Sequence, residues 1–180
     1  MGNLEARHDK FFLATDVVYL DLSGSNQIAL QPAIGDIALG GSFDLKAKIN
    51  TTIAGYNLID SNTGTLDAFA GVRYIGIDTT VKVTSIGPLG GHYKKATPEG
   101  DSTDGVVGVK GKLNLEGNWS LPYYLDIGSG DSDSTWQTFG GIDYLMDNTK
   151  IYAGYRYLEW DFGGAIDKLT VDGPVIGFNY

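Results

Sequence analysis

The sequence predicts an all-β protein: an antiparallel, up-and-down transmembrane β-barrel of eight strands, or of ten in a longer parent. Three observations carry the prediction. Apolar and polar residues alternate with a period of two along most of the chain, which places successive side chains on opposite faces of a strand. Tight turns of the Gly, Asn and Asp type alternate with longer connections. The chain stops on "GPVIGFNY" (173–180), where strand geometry puts Pro174, Ile176, Phe178 and Tyr180 on one side.

Composition narrows the class. A length of 180 residues suits a single domain, 1–180. The 22 acidic residues against 13 basic ones, a net charge of −9, repel phosphate and argue against a nucleic-acid partner. Cysteine is absent, which excludes a disulfide framework and thiol chemistry. No stretch approaches the roughly 20 apolar residues of a membrane helix, but a barrel crosses with strands that leave only a weak alternation. The start carries no charged n-region and apolar h-region, so any secretory signal is expected to be absent from this chain.

The elements follow in order. "GNLEARHDKFF" reads as the end of a strand, a turn at "HDK" and the start of the next strand, so residues 1–10 are expected to be a remnant preceding the first full strand. Strands are expected at about 11–23, 43–58, 66–79, 105–115, 119–129, 134–146, 149–160 and 169–180. In "FDLKAKINTTIAGY", Phe43, Leu45, Ala47, Ile49, Thr51 and Ile53 take one face and Asp44, Lys46, Lys48, Asn50 and Thr52 the other; a helix would scatter the lysines. In "NWSLPYYLDI", Trp119, Leu121, Tyr123, Leu125 and Ile127 oppose Ser120, Pro122, Tyr124 and Asp126. The tight turns fall at 61–65, 116–118 and 147–148, with longer connections at 24–42, 80–104, 130–133 and 161–168. In a meander this alternation collects the tight turns at one end, as in an outer-membrane barrel.

If the apolar face of every strand points outward, the lumen receives five acids, Asp16, Asp44, Asp67, Asp126 and Asp143, and six bases, Lys46, Lys48, Arg73, Lys110, Lys112 and Arg156. Most of the remaining 17 acids and 7 bases fall in turns, loops and the N-terminal stretch. Small residues on the charged face, among them Gly71, Gly108, Gly128, Gly141, Gly154 and Gly177, leave room for long side chains. Aromatic residues gather near strand ends on the apolar face: Phe11, Tyr19, Phe43, Tyr74, Trp119, Trp136, Tyr144, Tyr157, Phe178 and Tyr180. Such girdles suit a bilayer interface, where a ring is half wet.

On these residues the chain resembles small porin-like outer-membrane β-barrel proteins of Gram-negative bacteria. The similarity is clearest in "NWSLPYYLDIGSGDSDSTWQTFGGIDY", "YAGYRYLEWDF" and "GPVIGFNY" and extends over roughly residues 3 to 180. The resemblance implies an outer-membrane location, contact with outer-membrane lipid and lipopolysaccharide, and recognition by the outer-membrane assembly machinery. Ile176, Phe178 and Tyr180 match the terminal signal which that machinery reads; Pro174 fits it less well. It specifies architecture and location, not activity.

Chemistry-bearing constellations are sparse. A nucleophile needs a base within hydrogen-bond reach, and the two histidines, His8 in a turn and His92 in "GGHYKK", read as solvated loop residues. Asp131 and Asp133 in "GSGDSDS" are weak candidates for a hard cation, without the ligand spacing of a calcium loop. "GPLGG" (87–91) precedes no helix and no phosphate-loop lysine. The expectation is therefore a non-enzyme without cofactor. Three classes stay open: a structural or surface-interaction barrel, a narrow pore, and a soluble β-barrel around an apolar ligand.

Overall fold

The computed structural model describes residues 2–30, 37–87, 90–96, 99–147, 149–163 and 168–179. Tyr180 lies outside the described residues, as do the side chains of Phe43 and His92. Among the described residues ten strands form one sheet: β1 (Gly2–His8), β2 (Phe11–Leu30), β3 (Ile37–Ser61), β4 (Gly64–Gly87), β5 (Gly90–Ala96), β6 (Glu99–Asn114), β7 (Trp119–Gly130), β8 (Ser134–Met146), β9 (Thr149–Asp161) and β10 (Lys168–Asn179). The order is β1-β2-β3-β4-β6-β7-β8-β9-β10, with β5 attached to β4 alone. The sheet is thus an antiparallel meander, but the expected count of eight does not hold. Among the described residues nine strands lie along the path: Gly2–His8 pairs as a full member, and residues 90–96, expected to be loop, fold back on β4.

Local chemistry fixes the tight end. Asp9, between β1 and β2, and Asp147, between β8 and β9, adopt positive φ values of 55° and 53°, a conformation that Asp tolerates better than most residues. Gly117, with φ 73°, turns the chain from β6 to β7. The last strands then run in register, with Gly141 opposite Gly154, Ile142 opposite Ala153 and Ile176 opposite Ala153 on the other side of β9.

The chain divides into two compact units. The larger comprises Asn3–Asp16, Thr51–Tyr74 and Ser102–Tyr180. Its outward face exposes Leu13, Val72, Val107, Leu125, Ile127, Ile142, Ile151, Ile176 and Phe178, while Asp67, Arg73, Asp126, Thr135, Gln137 and Asp143 are buried on the inner face. The inner face also holds an apolar cluster of Phe12, Ala14, Ile53, Phe69 and Val106 with Tyr124 against it.

The smaller unit comprises Met1–Gly2, Val17–Asn50 and Ile75–Asp101. Here the polarity is the opposite one. Val18, Ala47, Ile49 and Ile75 are buried, Ala47 and Ile49 at 2% exposure. Lys46 and Lys48 are exposed, and Lys46 lies 3.6 Å from Asp21 on β2, both side chains about half exposed. The expectation that Asp44, Lys46 and Lys48 line the lumen is therefore corrected: Asp44 is half-buried on the same side of β3 as the two exposed lysines. Likewise Ala47, Ile49, Thr51 and Ile53, expected to face outward, are buried. The phase of β3 never slips. Its outward face is polar at Lys46 and Lys48 and apolar at Ala54, Tyr56 and Leu58, so one strand carries both polarities in a single alternation.

Candidate functional site

The inner face of the larger unit collects its charges into hydrogen-bonded layers, each built by strands that are distant in the sheet. Arg73, on β4, has no exposed side-chain surface. Its Nε donates to Thr51 Oγ1 at 3.2 Å, Nη1 to Thr135 Oγ1 at 3.1 Å, and Nη2 to Gln137 Oε1 at 3.2 Å and to the Asp126 carboxylate. Asp126 accepts a further bond from the Tyr124 hydroxyl at 2.6 Å, and the Thr135 hydroxyl donates to the Glu159 carbonyl at 3.1 Å. The guanidinium carbon sits 5.9 Å from the ring centroid of Trp160, which is fully buried. One cation thus binds β3, β7 and β8 to β4. A planar guanidinium with five donors suits that arrangement, whereas an ammonium would leave partners unmet.

Nearer the tight turns a second layer joins β9 to β2, Arg156 Nη1 donating to Asp16 at 2.6 Å. A third joins β1 to β4 and β6: Arg7 pairs with Asp67, which also accepts from Asn57 Nδ2 at 2.7 Å, while Arg7 Nε reaches Glu5 at 2.5 Å and Lys110 pairs with Glu5. Both cations also approach the Phe12 ring, Arg7 at 4.8 Å and Lys110 at 4.2 Å from its centroid, a favourable cation–π placement. Lys150 lies 3.5 Å from Asp143, which accepts from Ser120 Oγ at 3.3 Å. Below the Arg73 layer these groups line an open cavity of about 670 Å³ that also takes in Lys112, Tyr123 and Phe139.

Of the eleven lumen charges expected from sequence, the structure gathers Asp16, Asp67, Arg73, Lys110, Lys112, Asp126, Asp143 and Arg156 and leaves out Asp44, Lys46 and Lys48. Sequence reasoning missed Glu5 and Arg7, although "NLEARH" carries the same two-residue alternation. It also misassigned the inner glycines. Aromatic rings, not long cations, fill the space over several of them: a Cβ at Gly55 would meet Phe12 at 2.4 Å, at Gly108 Phe69 at 2.7 Å, at Gly154 Phe139 at 2.6 Å and at Gly177 Tyr152 at 2.5 Å. A ring laid across a neighbouring strand's glycine covers backbone that would otherwise be bare.

The outward aromatics form two levels. At the tight-turn end Trp119 packs on Tyr144 with centroids 4.6 Å apart, and Phe11 meets Tyr56, an unexpected member, at 5.0 Å. At the opposite end Trp136 stacks on Tyr157 at 4.8 Å. There Glu159 accepts from the Tyr157 hydroxyl at 2.7 Å and from Lys168 at 3.1 Å. Tyr74 and Phe178 are exposed on the outward face of the larger unit, and Tyr19 is exposed in the smaller one.

Of the two weak cation candidates, the Asp131 carboxylate accepts from the Thr103 amide at 2.9 Å, whereas Asp133 is held through its backbone, whose amide donates to the Asp161 carbonyl at 2.9 Å. Among the described residues no three potential ligands cluster. His8 lies in the turn, almost fully exposed. No known family model matches this chain, and no curated protein is significantly similar to it.

Proposed function

We propose that this chain is an integral β-barrel protein of a Gram-negative outer membrane, with a lumen closed by its own charges and a structural or surface-interaction role. The observation that carries this reading is the inverted polarity of the larger unit: Arg73 and Asp126 fully buried inside, a continuous band of Leu, Ile and Val exposed outside. In water that arrangement is unfavourable, since each exposed Leu or Ile forgoes about 1.5–3 kcal/mol of burial; against hydrocarbon it is the stable one.

The spacing of the aromatic levels supports it. Trp136 and Tyr144 are eight positions apart on β8, about 26 Å along a strand at roughly 3.3 Å per residue. A tilt of about 40° reduces this to about 20 Å, close to the apolar band of outer-membrane barrels at about 25 Å. β7 to β10, at 12 or 13 residues, have spanning length, whereas β2, β3 and β4 run to 20, 25 and 24 residues and carry polar outward faces into the smaller unit. That part reads as a sheet standing in water, available to surface partners. Outer-membrane lipid, lipopolysaccharide and the assembly machinery are the partners this reading implies.

The pore is the second reading, favoured by the 670 Å³ cavity at the tight-turn end. The Arg73 layer weighs against it, because a guanidinium bonded to three other strands occupies space that a water path would need. A soluble barrel around an apolar ligand is disfavoured by the charged lining of the same cavity. The deciding experiment is reconstitution: the chain should co-float with lipid vesicles, resist extraction by alkaline carbonate and stay silent in planar bilayers. A steady single-channel current would establish the pore, and failure to float would remove the membrane reading.

A further inference from the structure

Six cations stand on the inner face of the larger unit: Arg7, Arg73, Lys110, Lys112, Lys150 and Arg156. Five of them have a carboxylate. Arg73 holds Asp126, Arg7 holds Asp67 and shares Glu5 with Lys110, Lys150 lies 3.5 Å from Asp143, and Arg156 donates to Asp16. Among the described residues Lys112 is the one of the six with neither an ion pair nor a hydrogen bond. It is half-buried all the same, on β6 in the wall of the 670 Å³ cavity. A strongly hydrated ammonium that gives up part of its water without a counter-charge is left in deficit. An anion in the cavity would make that good.

The sheet beside Lys112 is apolar. Across the ladder it faces Pro122 on β7, which has no N–H to donate and no polar side chain. Pro122 falls between the pairs Ser120–Asp143 and Tyr123–Gly140, which sets it level with Gly141 on β8, and Gly141 pairs with Gly154 on β9. The Phe139 ring is laid over both glycines, where a Cβ would meet it at 3.1 and 2.6 Å. One row across β6 to β9 therefore reads ammonium, pyrrolidine, aromatic ring. Asp143, two positions beyond Gly141, is already engaged by Ser120 and Lys150. Lys112, Pro122 and Phe139 all line the same cavity, as do Thr51 and Gln137, which both accept from Arg73. Asp9, Lys10 and Asp60 line it too but are exposed, where water and salt screen them. None of β6 to β9 is an edge of the sheet.

We propose that this row is a binding site for a small organic anion, a monocarboxylate carried on a compact apolar body such as a single ring. The carboxylate accepts from the Lys112 ammonium, and the body lies along Pro122 and Phe139. The chemistry follows from the lining. One uncompensated cation calls for one negative charge, and a second would stand near the carboxylates of Asp16 and Asp143. A bare anion gains the ammonium but leaves the apolar wall wet, whereas a cation meets Lys112 and finds the carboxylates already paired. A volume of about 670 Å³ is in the range of small-molecule pockets. The site goes beyond a structural role for the barrel. It does not rest on the membrane reading, because it lies within one unit and depends only on the packing of β6 to β9.

The test is a titration of the full chain, in dodecyl maltoside micelles, with sodium benzoate as the probe. The lysines carry isotope-labelled dimethyl groups, which keep the charge and report by NMR. The Lys112 signal, assigned by its absence from Lys112→Arg, is expected to move with benzoate, to need about threefold or more acetate for the same shift, and to ignore benzylamine. By calorimetry Lys112→Gln is expected to weaken benzoate binding about tenfold, while Lys112→Arg, which keeps the cation, retains it. Phe139→Leu should weaken benzoate and leave acetate unchanged, and Lys46→Gln in the smaller unit should change neither. Equal benzoate affinity in the wild type and Lys112→Gln would overturn the proposal. So would a Lys112 signal that ignores benzoate, or one that answers benzylamine equally, since that marks partition without charge recognition. Should Lys112→Gln not fold, the wild-type lysine signals decide. Flotation with vesicles reports the membrane reading separately, so loss of one conclusion is distinguishable from loss of the other.

Discussion

The larger and smaller units are made from the same strands with the same alternation, yet they bury opposite things. In the larger, Asp67, Arg73 and Asp126 are inside and Leu125, Ile127 and Ile151 are outside. In the smaller, Ala47, Ile49 and Ile75 are inside, and Lys46, Lys48 and Asp21 face water. A period-two pattern states only that the two faces differ. Which face is inner depends on the medium around the sheet.

The comparison is best broken at its most buried charge. Arg73→Ala leaves Asp126 without its cation and should lower the unfolding free energy by about 3–5 kcal/mol, the cost of orphaning one partner of a buried pair, measured by urea titration in vesicles. Lys46→Ala, which removes the exposed pair with Asp21 in the smaller unit, should cost less than about 1 kcal/mol. Equal effects would mean that the two units share one polarity after all.

An intermediate effect is expected on the outward face. Leu125→Arg should cost about 2–4 kcal/mol by refolding titration if that position meets hydrocarbon, whereas Ser23→Arg, on the water-facing side of β2, should stay within about 0.5 kcal/mol. Tolerance of arginine at Leu125 would reverse the assignment of the larger unit. The smaller unit has its own test: Ile49→Asn buries an unpaired amide and should cost about 1–3 kcal/mol in thermal or urea unfolding, while Asn at exposed Lys48 should be nearly neutral.

By itself the sequence determined eight of the strands, the tight turns and the existence of two unlike faces, but neither the strand count nor the length of β2 and β3. The alternation in "NWSLPYYLDI" and "KIYAGYRYL" has one strand reading, Asp147 and Gly117 mark turns by their tolerance of positive φ, and Arg73, Asp126, Asp16 and Arg156 fall together on one face by counting alone. Tertiary structure alone decided which partners those charges take, because Arg156 and Asp16 are 140 residues apart and meet only when the sheet curls. It also decided that rings cover the inner glycines, since each ring comes from another strand. Finally, it decided that Lys46 and Lys48 belong outside. Their pattern is the same whichever face is buried, and only the packing of Ala47 and Ile49 into a core breaks that symmetry.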